Sequence, residues 1–407
     1  MIKQILSKKM LRAFVMGFSC GLPLLLTLSL LQAWMQQENV DIKMVGMVSL
    51  IGLPYTLKFL WAPFSDRYAI KFFGRRRGWL LLFQIFLAAS IIFLGFTNPG
   101  TSPLLTACAA FITAFFSASQ DIVTDAYRRE DLSDKELGLG SSLYVNGYRL
   151  GMLLASGGGL IMSDHFTFQK VYFIMGLCML PGIITTLLSP EPKVAQGMPK
   201  TLKESVIEPL KDYFSRDLAL PILAFILLYK IGDTMASGIT TYFYLDIGFT
   251  KSQIGTIVKM FGTWATIAGG LIGGVIMLKV SIRRALWIFG FLQALSTAGF
   301  ALLAAVGNLP FLLAAVIAFE NLTGGMGTAA YAAFMASITN RKFTATQYAL
   351  LTSLMGIPRV VLSAPTGIFA ELLGWETFFI LCAVAAIPGM IILFKVMPAT
   401  QKTKADL

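Results

Sequence analysis

Apolar runs of about 20 residues recur from one end of the chain to the other, each closed by charged residues or by Gly and Pro. Read against those breaks, the 407 residues divide into twelve runs near 11–35, 44–64, 78–97, 103–127, 137–162, 168–189, 217–246, 252–279, 285–306, 309–338, 344–371 and 374–397. Each can cross a hydrocarbon core of about 30 Å as a helix. The alternating ten-residue segments of an outer-membrane barrel do not occur, and helices are the other structure that satisfies its own backbone in lipid. The pattern predicts an all-α membrane protein of twelve transmembrane helices.

Composition agrees, with a mean hydropathy of +0.73, 56% apolar residues and 13% charged. In soluble domains charged residues approach about a quarter of the chain. The net charge of +12 would suggest nucleic acid in a soluble protein, but here its distribution has another meaning. Of the 33 Lys and Arg residues, 25 fall on the side holding the N-terminus, 3 on the other (Lys43, Lys170, Lys251) and 5 inside the runs. The positive-inside rule then puts both termini in the cytoplasm, and the excess charge meets anionic lipid, not nucleic acid. The N-terminal segment, basic through Arg12 and then apolar without a small-residue cleavage site, reads as an uncleaved first span. Cys20, Cys108, Cys178 and Cys382 each sit singly in apolar runs, without metal-ligand spacing, and His165 falls in an outer loop. No metal or cofactor is expected.

The longest stretch outside the spans is 190–216. There Thr201 and Glu204 fit a capping box, and Leu202, Val206, Leu210 and Phe214 recur at helical spacing, as in an amphipathic helix on the inner leaflet. It divides the chain into an N-terminal half, 1–189, and a C-terminal half, 217–407. Sliding the chain on itself by 208 to 210 residues brings Gly46 onto Gly255, Arg75-Arg76 onto Arg283-Arg284, Arg149 onto Arg359 and Pro181-Gly182 onto Pro388-Gly389. Two six-helix halves related in this way resemble the major facilitator plan. Asp66-Arg67, followed by Gly74-Arg75-Arg76-Arg77, resembles that superfamily's motif between spans two and three, which implies a conformational gate of charge pairs. Asp66, Arg67, Arg75 and Arg76 are its candidates, with Arg129 at the end of span four pairing with Asp125 as brace or gate.

Ionisable groups inside spans cost at least a few kcal/mol each and are functional candidates by default. They are Lys58, Asp121, Asp125, Arg149, Lys230, Asp233, Lys259, Glu320 and Arg359, with none in the interior of spans three, six, nine or twelve. In the major facilitator fold every third helix is an outer support, so the distribution matches that fold. Arg149 and Arg359 fall about 18 and 22 Å into their spans, near mid-depth, which suits contact with an anionic solute. Asp121 and Asp125 share a helix face one turn apart, so proton carriage at this pair is one reading and pairing with cations another. Lys230 and Asp233 are an i,i+3 pair, and Glu320 is either a proton acceptor or the counter-ion of Arg359. Gly269-Gly270, Gly273-Gly274 and Gly157-Gly158-Gly159 read as close helix packing. The run Gly325 to Ala330 matches a dinucleotide fingerprint by letter but follows no strand, so it is rejected.

The stretch Phe116-Ser117-Ala118-Ser119-Gln120-Asp121-Ile122-Val123-Thr124-Asp125-Ala126-Tyr127-Arg128 resembles the fourth-span signature of the AmpG muropeptide permeases. So do Gly21-Leu22-Pro23 with Leu31-Gln32-Ala33-Trp34, Lys58-Phe59-Leu60-Trp61-Ala62-Pro63, Phe73 to Trp79, Gly147-Tyr148-Arg149-Leu150-Gly151, and Phe319-Glu320-Asn321 with Gly325 to Ala330. The resemblance implies a bacterial inner-membrane importer of anhydro-muropeptides, fragments of peptidoglycan turnover, driven by the proton gradient and acting by alternating access. It gives Gln120, Asp121, Asp125, Arg149, Glu320 and Asn321 as polar lining of the substrate path; the intramembrane polar groups and aromatics add Gln32, Trp34, Tyr55, Lys58, Lys230 and Arg359 as candidates, with Asp121, Asp125 and Glu320 for the proton. The expected partners are the small-molecule substrate, protons and lipid, the protein acting as a monomer. Compact twelve-span relatives also include siderophore importers and, more distantly, acetyl-CoA transporters, which stand as alternatives. A membrane-embedded enzyme would need a nucleophile and base, facing acids on different helices or metal ligands. Asp121 and Asp125 share one helix, so no enzyme is expected.

Overall fold

The computed structural model describes residues 7–40, 51–70, 73–192, 201–237, 239–250, 253–361 and 366–402. Among them the regular structure is helical, with an isolated bridge between Ile70 and Gly74. Among the described residues nine helices are long and apolar enough to cross a membrane: α1 (Lys8–Met35), α4 (Arg76–Phe96), α5 (Pro103–Asp131), α7 (Phe168–Leu188), α9 (Ala219–Asp246), α10 (Ile254–Ile276), α11 (Ile282–Val306), α12 (Pro310–Ile338) and α15 (Trp375–Val396). The second, fifth and eleventh expected spans are present in other forms. The second is broken into α2 (Leu53–Leu57) and α3 (Ala62–Arg67) because Pro54 and Pro63 each start a new helix where their missing N–H costs nothing. The fifth, α6 (Leu137–Leu153), continues through a widened turn at Leu154–Gly158 to Ser163 and carries Arg149. The eleventh is α13 (Thr344–Val361) followed by α14 (Thr366–Leu373). Between the halves lies α8 (Leu202–Phe214), whose N-terminus is capped by Thr201 Oγ1 accepting from the Glu204 N–H at 3.1 Å.

The chain forms two compact units: Met1–Leu210 with Thr339–Ser353, and Lys211–Ile338 with Leu354–Leu407. The division falls inside α8 and again inside α13. In the first unit α1 and α6 meet backbone to backbone. A Cβ on Gly21 would lie 1.9 Å from the Tyr148 carbonyl oxygen, and one on Gly151 2.3 Å from that of Phe18, so both helices need glycine at the crossing. Leu22, Leu26, Leu30 and Trp34 of α1 close the adjoining core with Leu87, Ile91 and Tyr172. In the second unit α10 and α12 make the corresponding kind of crossing, at Gly269 against the Leu322 carbonyl and Gly325 against that of Thr266. Phe243, Phe300, Phe378 and Phe379 fill the core beside it. Large apolar side chains such as Leu104, Leu188 and Phe311 point outward with more than 70% of their surface free, the arrangement expected where lipid is the solvent.

Candidate functional site

From Ser117 to Arg129 every residue of α5 is buried, so this half of the helix is the inner column of the first unit. Small side chains on most of its faces, Ser117, Ala118, Ser119, Thr124 and Ala126, let neighbouring helices close in on the polar ones between them. Asp125 Oδ1 accepts from Arg128 Nη2 at 3.0 Å. Arg128 also donates to Ser141 Oγ at 2.8 Å and to the Tyr348 hydroxyl at 2.8 Å, and its guanidinium lies 4.4 Å from the Tyr144 ring centroid and 5.6 Å from that of Tyr348. The expected partner of Asp125 was Arg129. Arg129 instead reaches Asp134 at 3.2 Å, and Arg128 takes the place beside Asp125 at 3.0 Å.

One turn back, Asp121 is buried with Lys58 as its facing cation. Gln120 Nε2 donates to Cys20 Sγ at 3.2 Å, and the Cys20 thiol donates to Thr124 Oγ1 at 3.4 Å. Around this cluster the Tyr55 hydroxyl, Ser117 Oγ, Gln120 Oε1 and Asp121 Oδ1 are buried without a hydrogen-bond partner among the described residues. An unsatisfied buried polar atom costs about 1–3 kcal/mol. Four of them in one neighbourhood make a site that water or a polar solute would complete.

Other expected lining residues are placed differently. Gln32 is exposed. Trp34 is 5% exposed and stacked on Phe168 at 5.3 Å, so its ring face is already occupied. Arg149 is half-buried on α6. Arg359 lies on α13, but its side chain is outside the described residues.

In the second unit Lys230 Nζ lies 3.2 Å from Asp233 Oδ2 and donates to Thr328 Oγ1 on α12 at 3.0 Å. Glu320 accepts from Ser296 Oγ at 2.5 Å and lies 3.4 Å from Thr297 Oγ1, both on α11. Asn321 Oδ1 accepts from Thr266 Oγ1 on α10 at 2.7 Å. The hydroxyls of α11 were missed from the sequence because only charged residues were counted in the spans. Their i,i+1 position opposite a buried acid leaves no period or motif to find.

The expected gate residues form a buried ion cluster at the start of α4. Arg76 is fully buried and binds Asp66 at 2.7 Å and Glu130 at 2.6 Å, while Arg75 binds Glu130 at 2.8 Å and approaches Asp66 at 3.9 Å. Arg67 stays outside the cluster, half-exposed over the Tyr68 ring. Asp66 also caps α13. Its Oδ2 accepts from the Thr346 N–H at 2.8 Å and from the Thr346 hydroxyl at 2.7 Å, and its Oδ1 accepts from the Ala345 N–H at 3.3 Å. Glu191 caps α4 in the same way, accepting from the N–H groups of Arg76 at 2.8 Å and Arg77 at 3.0 Å. Gly74, at φ +86°, makes the turn that aims the arginines inward. Glu130 and Glu191 were missed because they lie outside the apolar runs and no sequence spacing ties them to Asp66 and Arg76.

A family model described as the Major Facilitator Superfamily matches residues 13–362. The chain belongs to the Major Facilitator Superfamily. Within it the chain is 45% identical over 394 residues to the "Anhydromuropeptide permease" of Escherichia coli strain K12, covering 96% of this chain and 80% of that one. It is 32% identical to the "Putative transporter AmpG 1" of Rickettsia bellii, covering 98% of this chain and all of the other. The AmpG-type resemblance read from the motifs therefore holds across the whole length. Among solved structures, the proton:xylose symporter XylE superposes with a TM-score of 0.75 over 97% of this chain and 96% of its own at 10% identity. The human organic anion transporter MFSD10 gives 0.67 over 96% and 99% at 15%. At such identities they attest the major facilitator fold alone. The chain is thus a facilitator-type permease rather than an enzyme, a multi-pass protein of the bacterial inner membrane. The siderophore alternative gains no support from these relatives.

Proposed function

We propose that this permease imports anhydro-muropeptides from periplasm to cytoplasm by proton-coupled alternating access, acting as a monomer with both termini in the cytoplasm. The observation that carries this reading is the 45% identity to an anhydromuropeptide permease along almost the entire chain. The chemistry of the sites supports it. A muropeptide presents sugar hydroxyls, amides and free carboxylates, which suit the unsatisfied Tyr55, Ser117 and Gln120 groups and the cations Lys58, Arg149, Lys230 and Arg359. Asn321 and Thr266, already joined, present a further amide and hydroxyl edge. The coupling proton binds among the buried carboxylates Asp121, Asp125 and Glu320.

The Asp66, Arg75, Arg76 and Glu130 cluster acts as the gate lock. It fixes the first turn of α13 through Asp66, and Arg128 holds the next turn through Tyr348. Transport requires this lock to open and re-form once per cycle. The test is uptake of a radiolabelled anhydro-muropeptide into proteoliposomes of the purified protein with the outside more acid than the inside. Accumulation above the outside concentration that a protonophore abolishes is the expected result. Failure to accumulate or exchange the muropeptide under any gradient overturns the assignment.

A further inference from the structure

The second unit holds two half-buried acids, Asp233 beside Lys230 and Glu320 beside the hydroxyls of α11. Asp233 comes from α9 and Glu320 from α12, and the two flank Thr297 of α11, which lies 3.4 Å from Glu320 and lines a cavity with Asp233. Around them α9 contributes Lys230 and Tyr244, and α11 contributes Ser296 and Thr297 as donors to Glu320. Gln293 of α11 is buried with Nε2 unpartnered among the described residues, and it lines a water-sized cavity with Asp233, Thr297 and the uncharged Cys382 of α15. Two neighbouring carboxylates cannot both remain ionised cheaply, and among the described residues Lys230 is the cation beside them. With one proton between the acids the cluster is neutral. Without it the cluster carries a net negative charge in a low-dielectric setting.

We propose that Asp233 and Glu320 share one transported proton, and that Lys230 couples it to the substrate by leaving Asp233 for a substrate carboxylate. Once Lys230 has turned to the substrate, the acid pair has lost its counter-charge and holds the proton more tightly. By linkage, the proton on the pair frees Lys230 and strengthens substrate binding to the same degree. Release on the opposite side runs in reverse, with the substrate's departure returning Lys230 to Asp233 and expelling the proton into the adjoining cavity. The third helix of the half, α11, is therefore more than a support, because its hydroxyls hold Glu320 in place. This inference rests on the muropeptide reading, since it needs an anionic substrate.

The experiment compares two modes of transport in proteoliposomes for the wild type, Asp233→Asn, Glu320→Gln and the double variant. The modes are accumulation of radiolabelled anhydro-muropeptide under an inward-acid gradient of one pH unit, and exchange of labelled for unlabelled muropeptide at equal pH. For each proton carried, such a gradient supports about a tenfold accumulation. Each single variant, mimicking the protonated pair, is expected to lose that tenfold accumulation while retaining exchange, with the double variant no worse than either. Retention of exchange also shows that the variants fold. Accumulation near the wild-type level in either single variant overturns the proposal, as does a double variant that loses exchange when both singles keep it. If the wild type itself exchanges no muropeptide, the reading of the substrate fails, and the acid pair is then judged by whether Glu320→Gln abolishes proton uptake on addition of whichever carboxylate solute the protein does exchange.

Discussion

In the first unit Asp121 and Asp125 stand one turn apart on a single helix, with Arg128 paired to Asp125 at 3.0 Å and the Lys58 charge acting on both. In the second unit Asp233 and Glu320 come from separate helices and, among the described residues, share one neighbouring cation, Lys230. The first arrangement is balanced without a proton, and the second is one positive charge short. The difference assigns distinct work to acids that look alike in the sequence. In the proposed mechanism the pair of the second unit carries the proton that Lys230 couples to the substrate, while Asp121 and Asp125 of the first unit remain the other place for it.

The gate shows how much depends on fixed cations in the first unit. Arg76→Ala leaves Asp66 and Glu130 buried beside a single remaining arginine, and loss of one partner of a buried ion pair costs about 3–5 kcal/mol. The variant should show the largest drop in thermal midpoint in detergent; a midpoint equal to wild type would break the account of the lock. Arg128→Leu removes the cation of Asp125 together with the bonds to Ser141 and Tyr348. A loss of about 3 kcal/mol is expected, with Asp125→Asn in the same background restoring part of it, and no such rescue would mean that Arg128 serves Tyr348 alone.

Lys230→Met should behave differently, because an acid pair that loses its cation can take up a second proton instead of standing ionised. Its stability cost is expected to be about 1 kcal/mol, smaller than either arginine change, while gradient-driven uptake is lost. A cost as large as that of Arg128→Leu would erase the contrast between the units. Ser296→Ala removes one donor to Glu320 and should cost about 1 kcal/mol or less, with a change in the pH profile of uptake that the fold alone would not cause.

The architecture was largely legible in the sequence because apolar length and the repeat near 209 residues both report on it. The break in the second span was not read, since Pro54 and Pro63 fall inside a single run, 44–64. The sites were legible only in part. Asp121, Asp125 and Glu320 declare themselves by being charged in an apolar run, and Asp66 with Arg76 by resemblance to a motif. What escaped depends on contacts between residues far apart in the chain. Thr346 on Asp66, Tyr348 on Arg128, and Ser296 on Glu320 are ordinary polar residues until the fold brings them to a buried charge. Asp233 was read against Lys230, its helical neighbour, and the acid across from it on α12 cannot be inferred from spacing.

Whether muropeptide and proton move together is decided most directly by recording the outside pH with an electrode while anhydro-muropeptide is added to weakly buffered proteoliposomes at zero initial gradient. The account predicts that the outside medium turns alkaline in step with muropeptide entry, and that Glu320→Gln and Asp233→Asn abolish the alkalinisation while exchange persists. Muropeptide entry at the wild-type rate with no movement of the outside pH would contradict it.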